Sequence, residues 1–231
     1  MSTSPTRPPP NHPRGCSGAA AGAGAPGGAR ADVFRLRWKT PDDWAAAAAA
    51  DVGALLGDHA HCELKAAASA MALIRRNPGR AGLASRLALL IREESEHLSR
   101  VLRELALRDQ ALRPDAPSPY AEGLHRLTRA SRRGDQGVYL DALLVSALIE
   151  MRSHERFERL GACPALADLA PLYRALGEAE ARHGNLFLEL AREAHDAHVV
   201  AARFDVLAEG EGALIASLPC GPRVHSGPLA A

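Results

Sequence analysis

The chain has 231 residues, which is enough for one domain with a full hydrophobic core and short appendages. Its formal net charge is +1, so no global field points to a nucleic acid or a membrane surface as partner. The four cysteines are isolated from one another. That argues against a structural zinc knuckle, a rubredoxin-type iron site or a disulfide framework, and it favours a reduced, cytoplasmic setting.

The two ends of the chain differ in composition from its middle. Residues 1–33 are mostly Pro, Gly, Ala and Ser with scattered Arg, which cannot bury enough apolar surface to order themselves. We therefore predict a disordered tail at 1–33, a folded domain at 34–218 and a similar C-terminal tail at 219–231. No apolar run is long enough for a transmembrane helix, and the N-terminus lacks the apolar region of a signal peptide.

Between the tails the hydrophobic pattern is helical throughout, and no segment alternates strictly as a half-buried strand does. Thr40-Pro41-Asp42-Asp43 is a typical helix start with Thr40 as N-cap, and Asn77-Pro78-Gly79 is a typical helix end. The pattern predicts four long helices, at about 51–76, 80–108, 134–161 and 171–196. It also predicts shorter helices at about 40–50, 120–132 and 198–217, and a turn at 164–169.

Each of the four long helices carries an acid within an apolar stretch. The first and third contain the lone Glu63 and Glu150, and the second and fourth contain Glu-x-x-His, at Glu94–His97 and Glu180–His183. A spacing of 31 residues separates Glu63 from Glu94, and 30 residues separate Glu150 from Glu180. This is the ligand set of ferritin-like di-iron or di-manganese bundles. We therefore predict an all-α, ferritin-like four-helix bundle of two antiparallel helix pairs, with additional short helices.

The neighbours of these acids on their helix faces are apolar, which directs all four carboxylates to the core. Buried like charges repel one another. The charges of four buried acids and two histidines are therefore balanced only when cations bind among them. Any one of them alone fits a surface acid or a structural histidine, but six at matched spacing predict a dinuclear metal centre. Carboxylates with imidazole suit iron or manganese more than zinc. The predicted ligands are Glu63, Glu94, His97, Glu150, Glu180 and His183.

By analogy with this fold, Glu94 and Glu180 bridge the metals, while each remaining acid and each histidine binds one metal. Glu155 rivals Glu150, but its helix face carries other charges and it precedes Glu180 by only 25 residues. We expect Glu93, Glu96 and Glu155 to be solvated. The remaining histidines considered, which are His59, His61, His125 and His154, are expected to be structural or to surround the ligands. No catalytic residue beyond the ligands and no organic cofactor site is predicted.

The sequence around the ligands resembles the tRNA hydroxylase family usually called MiaE-like. The resemblance lies in Leu55–Ala67, Glu93–His97, Ile149–Phe157 and Glu178–His183, and it extends from about Trp44 to Ala191. It implies an O2-dependent, non-haem di-iron monooxygenase that hydroxylates the isopentenyl group of 2-methylthio-N6-isopentenyladenosine beside the tRNA anticodon. It also implies two iron ions, O2 as co-substrate, and an external electron donor of the ferredoxin type with its reductase.

Two groups of arginines are candidates for tRNA phosphates, although a run of Arg is usually a solvated face. They are Arg75 and Arg76 at one helix junction, and Arg126, Arg129, Arg132 and Arg133 at another. The small residues Ala67, Ala147, Gly177 and Gly184 near the ligands either leave room for a prenyl group or allow close helix packing.

Two other functions use the same fold. One is ferritin-like iron handling, which requires assembly into a cage. The other is rubrerythrin-like peroxide reduction, which usually needs an iron knuckle of four cysteines that this sequence lacks. We expect a monomer or a small oligomer.

Overall fold

The computed structural model describes residues 34–129 and 134–229. Within these ranges the chain is all-α and contains no strand, as the sequence predicts. The helices are α1 (Trp44–Ala48), α2 (Val52–Arg76), α3 (Leu83–Ala106), α4 (Pro119–Arg129), α5 (Asp135–Ala162), α6 (Ala170–Ala194) and α7 (Ala197–Ser217), with a 3-10 turn at Pro164–Leu166. The predicted 1–33 tail lies outside the described residues. No helix in the described part is long and apolar enough to cross a membrane.

Side chains and glycine determine several of the helix ends. The Asp51 carboxylate accepts a hydrogen bond from the Ala54 amide (2.9 Å) and caps α2. Gly82 precedes α3 with φ of 72°, a conformation that glycine adopts without steric cost. The predicted N-cap Thr40 is wrong, because α1 begins only at Trp44. The amide and hydroxyl of Thr40 instead donate to the Glu155 carboxylate (2.9 and 2.7 Å).

The bundle consists of two helix pairs, α2 with α3 and α5 with α6. In the second pair Gly161 lies beside Arg174 and Gly184 lies beside Glu150, so the two helices are antiparallel. A connection of six residues joins α2 to α3. Because the two helices pack along their lengths, so short a connection makes them antiparallel as well. The long connection from α3 to α5 contains α4.

Two apolar clusters fill the two ends of the bundle. One includes Leu87, Leu144 and Phe187, and the other includes Leu56 and Phe157. The four predicted acids lie on the middle turns of α2, α3, α5 and α6, between these clusters. The middle layer therefore has a buried apolar layer on each side.

The segment 219–229, which we expected to be disordered, is packed against the bundle. Val224 and Ser226 are buried. The Val224 amide donates to Asp58 (2.9 Å), and the Ser226 hydroxyl accepts from the Trp44 indole N–H (2.9 Å). Gly227 lies so close to the Leu218 carbonyl oxygen that any Cβ there would collide with it. These contacts fix the segment beside α1, α2 and the end of α7.

Candidate metal centre

The six predicted ligand side chains meet at the middle of the bundle, and each is more than nine-tenths buried. Their ligand atoms form two groups of four, and within each group all atoms lie within 4.8 Å of one another. The first group is Glu63, Glu94, His97 and Glu180, and the second is Glu94, Glu150, Glu180 and His183. Glu94 and Glu180 belong to both groups. The arrangement is therefore that of two adjacent sites that share two carboxylates.

Several polar atoms at the centre are buried without a hydrogen-bond partner in the described part of the chain. They are both carboxylate oxygens of Glu94 and the Nδ1 atoms of His97 and His183. His183 Nδ1 lies 2.9 Å from Glu94 Oε1, and His97 Nδ1 lies 3.4 Å from Glu94 Oε2, without the geometry of a hydrogen bond. Buried polar atoms are nearly always satisfied. Lone pairs that converge on one point in this way fit bound metal ions.

Three of the acids hold protons readily because they are buried beside one another. Burial raises the pKa of Glu63 to about 8. Burial, and then the carboxylate of Glu180, raise the pKa of Glu150 well above its usual range. Burial does the same for the pKa of Glu180. Bound cations would replace these protons, since they allow every carboxylate in the cluster to ionise.

The other three residues are charged more easily than usual. Burial opposes the charge on Glu94, but contacts with His183 and His97 outweigh it and lower the pKa of Glu94 to about 2. Burial also opposes the charge on His97, yet Glu63 and Glu94 raise its pKa to about 9. The pKa of His183 is raised against burial mainly by Glu94. The charges of the acids and histidines in the cluster therefore balance one another only in part.

Two residues outside the predicted ligand set orient ligands. His59 Nε2 lies 2.7 Å from Glu63 Oε1 and is fully buried, which agrees with the expectation that it is structural or surrounds the ligands. Glu93 lies 3.1 Å from Nε2 of His183, opposite the Nδ1 atom that faces the cluster. We expected Glu93 to be a solvated acid; its side chain is partly exposed, but its carboxylate also contacts His183. Its contact crosses from α3 to α6, and no spacing along one helix reveals it.

The other three histidines considered in the sequence contact backbone or solvent. His61 lies 2.8 Å from the Arg113 carbonyl oxygen, and His154 Nδ1 lies 2.8 Å from that of Gly177. His125 is exposed. These positions agree with structural roles.

Glu155 is neither solvated nor part of either ligand group. Its carboxylate accepts hydrogen bonds from Thr40 and from the buried guanidinium of Arg152. The expectation of a solvated acid therefore fails for Glu155 but holds for Glu96, which is exposed and lies 3.7 Å from Arg92. The contacts of Glu155 connect the chain before α1 to α5.

The small residues near the ligands allow close packing between helices. A Cβ on Gly184 would meet Met151 Cγ at 3.4 Å, and one on Gly177 would meet Phe157 Cβ at 3.5 Å. Within the described ranges, neither glycine lines a cavity beside the cluster. Of the two interpretations of these residues, the structure favours close packing.

A pocket of about 140 Å³ opens beside Glu150, between α2, α5, the start of α4 and the segment 219–229. Its walls are mostly apolar and include Ala66, Ile149, Tyr120 and Phe187. A smaller cavity of about 20 Å³ lies beyond it, against Glu63, Glu94, Glu150 and Glu180. The pocket and this cavity share five lining residues, so the pocket adjoins the carboxylate cluster. We had not predicted it, because two of its walls come from α4 and from the segment after α7.

The predicted arginines are distributed over different surfaces. Arg76 and Arg129 line one broad groove of about 660 Å³, which shares Ser69, Ala121 and Ile149 with the pocket. Arg126 lines a separate groove between α4 and α7. Arg75 is exposed and lines neither groove, while Arg132 and Arg133 lie outside the described residues. The structure therefore brings only Arg76 and Arg129 together near the pocket.

Comparison with known proteins gives consistent matches. The sequence model of the tRNA-(MS[2]IO[6]A)-hydroxylase (MiaE) family matches residues 30–226. This range extends beyond the expected Trp44–Ala191 at both ends and includes most of the segment after α7. A tRNA 2-(methylsulfanyl)-N(6)-isopentenyladenosine(37) hydroxylase of Pseudomonas putida is 40% identical over 197 residues, which cover 85% of this chain and 93% of that protein.

The enzyme of the same name from Salmonella typhimurium is 30% identical over an alignment of 246 positions including gaps, which covers 85% of this chain and 89% of that enzyme. Among solved structures, a Synechococcus protein with aldehyde deformylating oxygenase activity superposes with a TM-score of 0.79 at 34% identity. The match covers 85% of this chain and 98% of that structure.

Proposed function

The chain belongs to the MiaE family of tRNA hydroxylases, and we propose that it hydroxylates the isopentenyl group of 2-methylthio-N6-isopentenyladenosine beside the tRNA anticodon. The observation that supports this best is the pair of buried four-residue groups at the end of an apolar pocket. An oxygenase of this kind needs a metal centre and an apolar approach for the C–H bond, and the buried ligand groups and the pocket are suited to these two roles.

We propose that the resident metals are two iron ions, because carboxylate-rich sites with imidazole favour iron or manganese over zinc. Glu63 and His97 would hold one ion, Glu150 and His183 the other, and Glu94 and Glu180 both. When bound, the irons supply the site at which O2 is reduced and its O–O bond is broken. Overall, one oxygen atom enters a C–H bond of the substrate, and the other leaves as water with two electrons and two protons.

The chain itself orients the reactants and excludes water. Ala66, Ile149 and Phe187 form an apolar wall along which the isopentenyl group approaches the cluster. The inner cavity, at about 20 Å³, has room for one molecule about the size of water. His59 and Glu93 hold Glu63 and His183 in place, as residues around metal ligands commonly do.

The tRNA would bind across the groove next to the pocket. A modified base in a loop is usually splayed out to be recognised, and phosphates bind to Arg. Arg76 and Arg129 are the predicted contacts best placed for this, since their groove shares three residues with the pocket. Arg75, Arg126, Arg132 and Arg133 remain predictions.

No flavin or iron–sulfur motif is evident in the sequence, so the two electrons must come from an external, ferredoxin-like donor and its reductase. A tRNA substrate and isolated cysteines favour the cytoplasm, and the protein is proposed to act as a monomer or small oligomer.

The test uses iron-loaded protein, a chemical reductant, O2, and tRNA with or without the prenyl group. Mass spectrometry of the digested nucleosides should show one added oxygen atom on the prenylated nucleoside only, and none with His183→Ala. Release of peroxide or storage of ferric iron without an oxygenated nucleoside would instead favour peroxide reduction or iron handling.

A further inference from the structure

Five residues line both the pocket and the inner cavity, so the two spaces are adjacent, and we call this shared lining the neck. They are Cys62, Ala66, Ile149, Glu150 and His225. A group that reached the carboxylate cluster from the pocket would have to pass these residues. Four of these residues lie on α2 and α5, whereas His225 comes from the segment after α7. His225 is therefore the one neck residue that the four-helix bundle does not itself supply.

The ring of His225 is held from three sides. It stacks on the Tyr120 ring at 4.5 Å between centroids, with 5° between the planes. Its Nε2 lies 3.3 Å from the Ser153 hydroxyl, and its Nδ1 lies 3.8 Å from the Cys62 sulfur. These contacts come from α4, α5 and α2. The ring therefore has little freedom to tilt into or out of the neck.

The residues behind His225 are equally fixed. The Tyr120 hydroxyl donates to Glu211 (3.0 Å), and the same carboxylate accepts two hydrogen bonds from buried Arg152 (2.9 and 2.8 Å). The backbone on both sides of His225 is anchored, through the Val224 amide on Asp58 and through the Ser226 carbonyl on Arg156 (3.0 Å). Burial and the nearby guanidinium groups of Arg156 and Arg152 lower the pKa of His225 well below its usual value, so the ring is neutral.

We propose that His225 is a specificity-determining residue whose ring fixes the depth and rotation of the isopentenyl group in the neck. This rests on the proposed hydroxylation. The isopentenyl group ends in two methyl groups on the same alkene carbon, which differ only in their orientation relative to the chain. Selective hydroxylation of one of the two methyl groups requires a wall whose position is fixed to a fraction of an ångström. The imidazole, which is stacked on Tyr120 and lines the pocket together with Ala66 and Ile149, provides such a wall.

The test compares His225→Ala, which removes the ring, with His225→Phe, which keeps a flat ring on Tyr120. His198→Ala is the matched control, because His198 is exposed at the start of α7. Three quantities are measured on iron-loaded protein: iron per chain, nucleoside hydroxylated per O2 consumed, and the ratio of the two geometric isomers of the product.

We expect His225→Ala to keep two irons but to lower both the yield per O2 and the isomer ratio by about threefold or more, because small misplacements of a reacting group are costly. His225→Phe should recover a large part of the isomer ratio, and His198→Ala should match the unmodified protein. If His225→Ala does not keep its iron, His225→Asn replaces it, and the same two ratios decide.

An isomer ratio and a yield per O2 within about twofold of the unmodified protein, in an iron-loaded variant without the ring, would overturn the proposal. That result differs from failure of the proposed function, in which the unmodified protein itself yields no hydroxylated nucleoside.

Discussion

The first half of the bundle, α2 with α3, and the second half, α5 with α6, carry the same ligand pattern but differ in the residues around it. Glu63 corresponds to Glu150, and Glu94–His97 corresponds to Glu180–His183. The repeat explains why each half supplies one terminal acid, one shared acid and one histidine. It does not make the two proposed metal sites equivalent.

The halves differ first at the position four residues before the terminal acid. In the first half this is His59, which contacts Glu63 and packs on Phe157 at 4.6 Å between ring centroids. In the second half it is Ser146, which lines the pocket. At this position the first half therefore has a buried imidazole that packs on an aromatic ring, whereas the second half has a small side chain that lines the pocket. The pocket itself lies between the two halves and includes Glu150 in its lining.

The halves differ again one residue before the shared acid. Glu93 in the first half contacts His183 of the second, but the corresponding residue of α6 is Ala179, which is buried and has no carboxylate to offer His97. A carboxylate behind a ligating histidine fixes the ring and raises its basicity. The metal held by His183 should therefore differ in affinity from the metal held by His97.

The largest expected effect follows from removing a ligand that both halves share. Glu94→Ala should lose most of both irons, because Glu94 belongs to both ligand groups. His183→Ala should also lose most bound iron, since the site opens when one ligand is missing. Iron per chain measured by elemental analysis checks this, with Glu96→Ala on the exposed face of α3 as control. Two irons retained by Glu94→Ala would contradict the shared site.

A smaller effect should separate the halves. Glu93→Gln keeps the size of the side chain but removes the charge behind His183. Loss of such a partner typically lowers metal affinity by about 10–100-fold, and here it should affect only the metal of the second half. Competition with a metal chelator measures the two affinities, and Glu96→Gln is the control. If both affinities fell equally, the asymmetry would not lie at Glu93.

The helices and the ligand cluster could be predicted because both depend on local periodicity. A Glu in an apolar helix face with His three residues later is visible in a single segment. The segment 219–229 could not be predicted, because its order depends on Trp44, Asp58 and Arg156, which are distant in sequence. Its own Pro- and Gly-rich composition resembles that of a disordered tail.

Glu155 illustrates the same limit on α5. Its helix face carries charged residues, and that pattern indicates solvent exposure. The structure instead buries Arg152 against Glu211 of α7, and Glu155 shares this arginine. The charged face of α5 is buried because α7, a fifth long helix, packs over it. The hydrophobic periodicity of α5 alone does not predict that contact.

We expect pH to act in opposite directions on the stability of the metal-free protein and on the stability that metal adds. As pH rises, the first should fall and the second should grow. The pKa of Glu63 is raised from 4.5 to about 8, and that of His97 from 6.5 to about 9. For each group, at a pH between its usual pKa and its raised pKa, the folded, metal-free chain holds a proton that the unfolded chain releases. Its free energy of unfolding therefore falls as pH rises from about 5 to 9. Glu94, with its lowered pKa, loses its contribution only as pH falls toward about 2, outside this range.

Metal binding requires deprotonated ligands, so it strengthens as pH rises. The difference in Tm between protein loaded with Fe(II) under nitrogen and metal-free protein should thus widen between about pH 6 and pH 8.5. Calorimetry of both forms measures it, and in Glu94→Ala the difference should be nearly absent at every pH. A gap that narrows with rising pH would show that the carboxylates are already ionised without metal.

The smallest effect on the metal centre is expected from Glu155→Ala, although it lies on the same helix as Glu150 and only five residues away. Glu155 accepts hydrogen bonds from Thr40 and Arg152 but contributes to neither ligand group. Its loss leaves these donors without their acceptor, which typically costs about 1–3 kcal/mol. Urea unfolding should show this loss while iron per chain stays at two. In Glu150→Ala, by contrast, iron per chain should fall, because the second half loses a ligand. Iron loss in Glu155→Ala at unchanged stability would instead make Glu155 the ligand from α5.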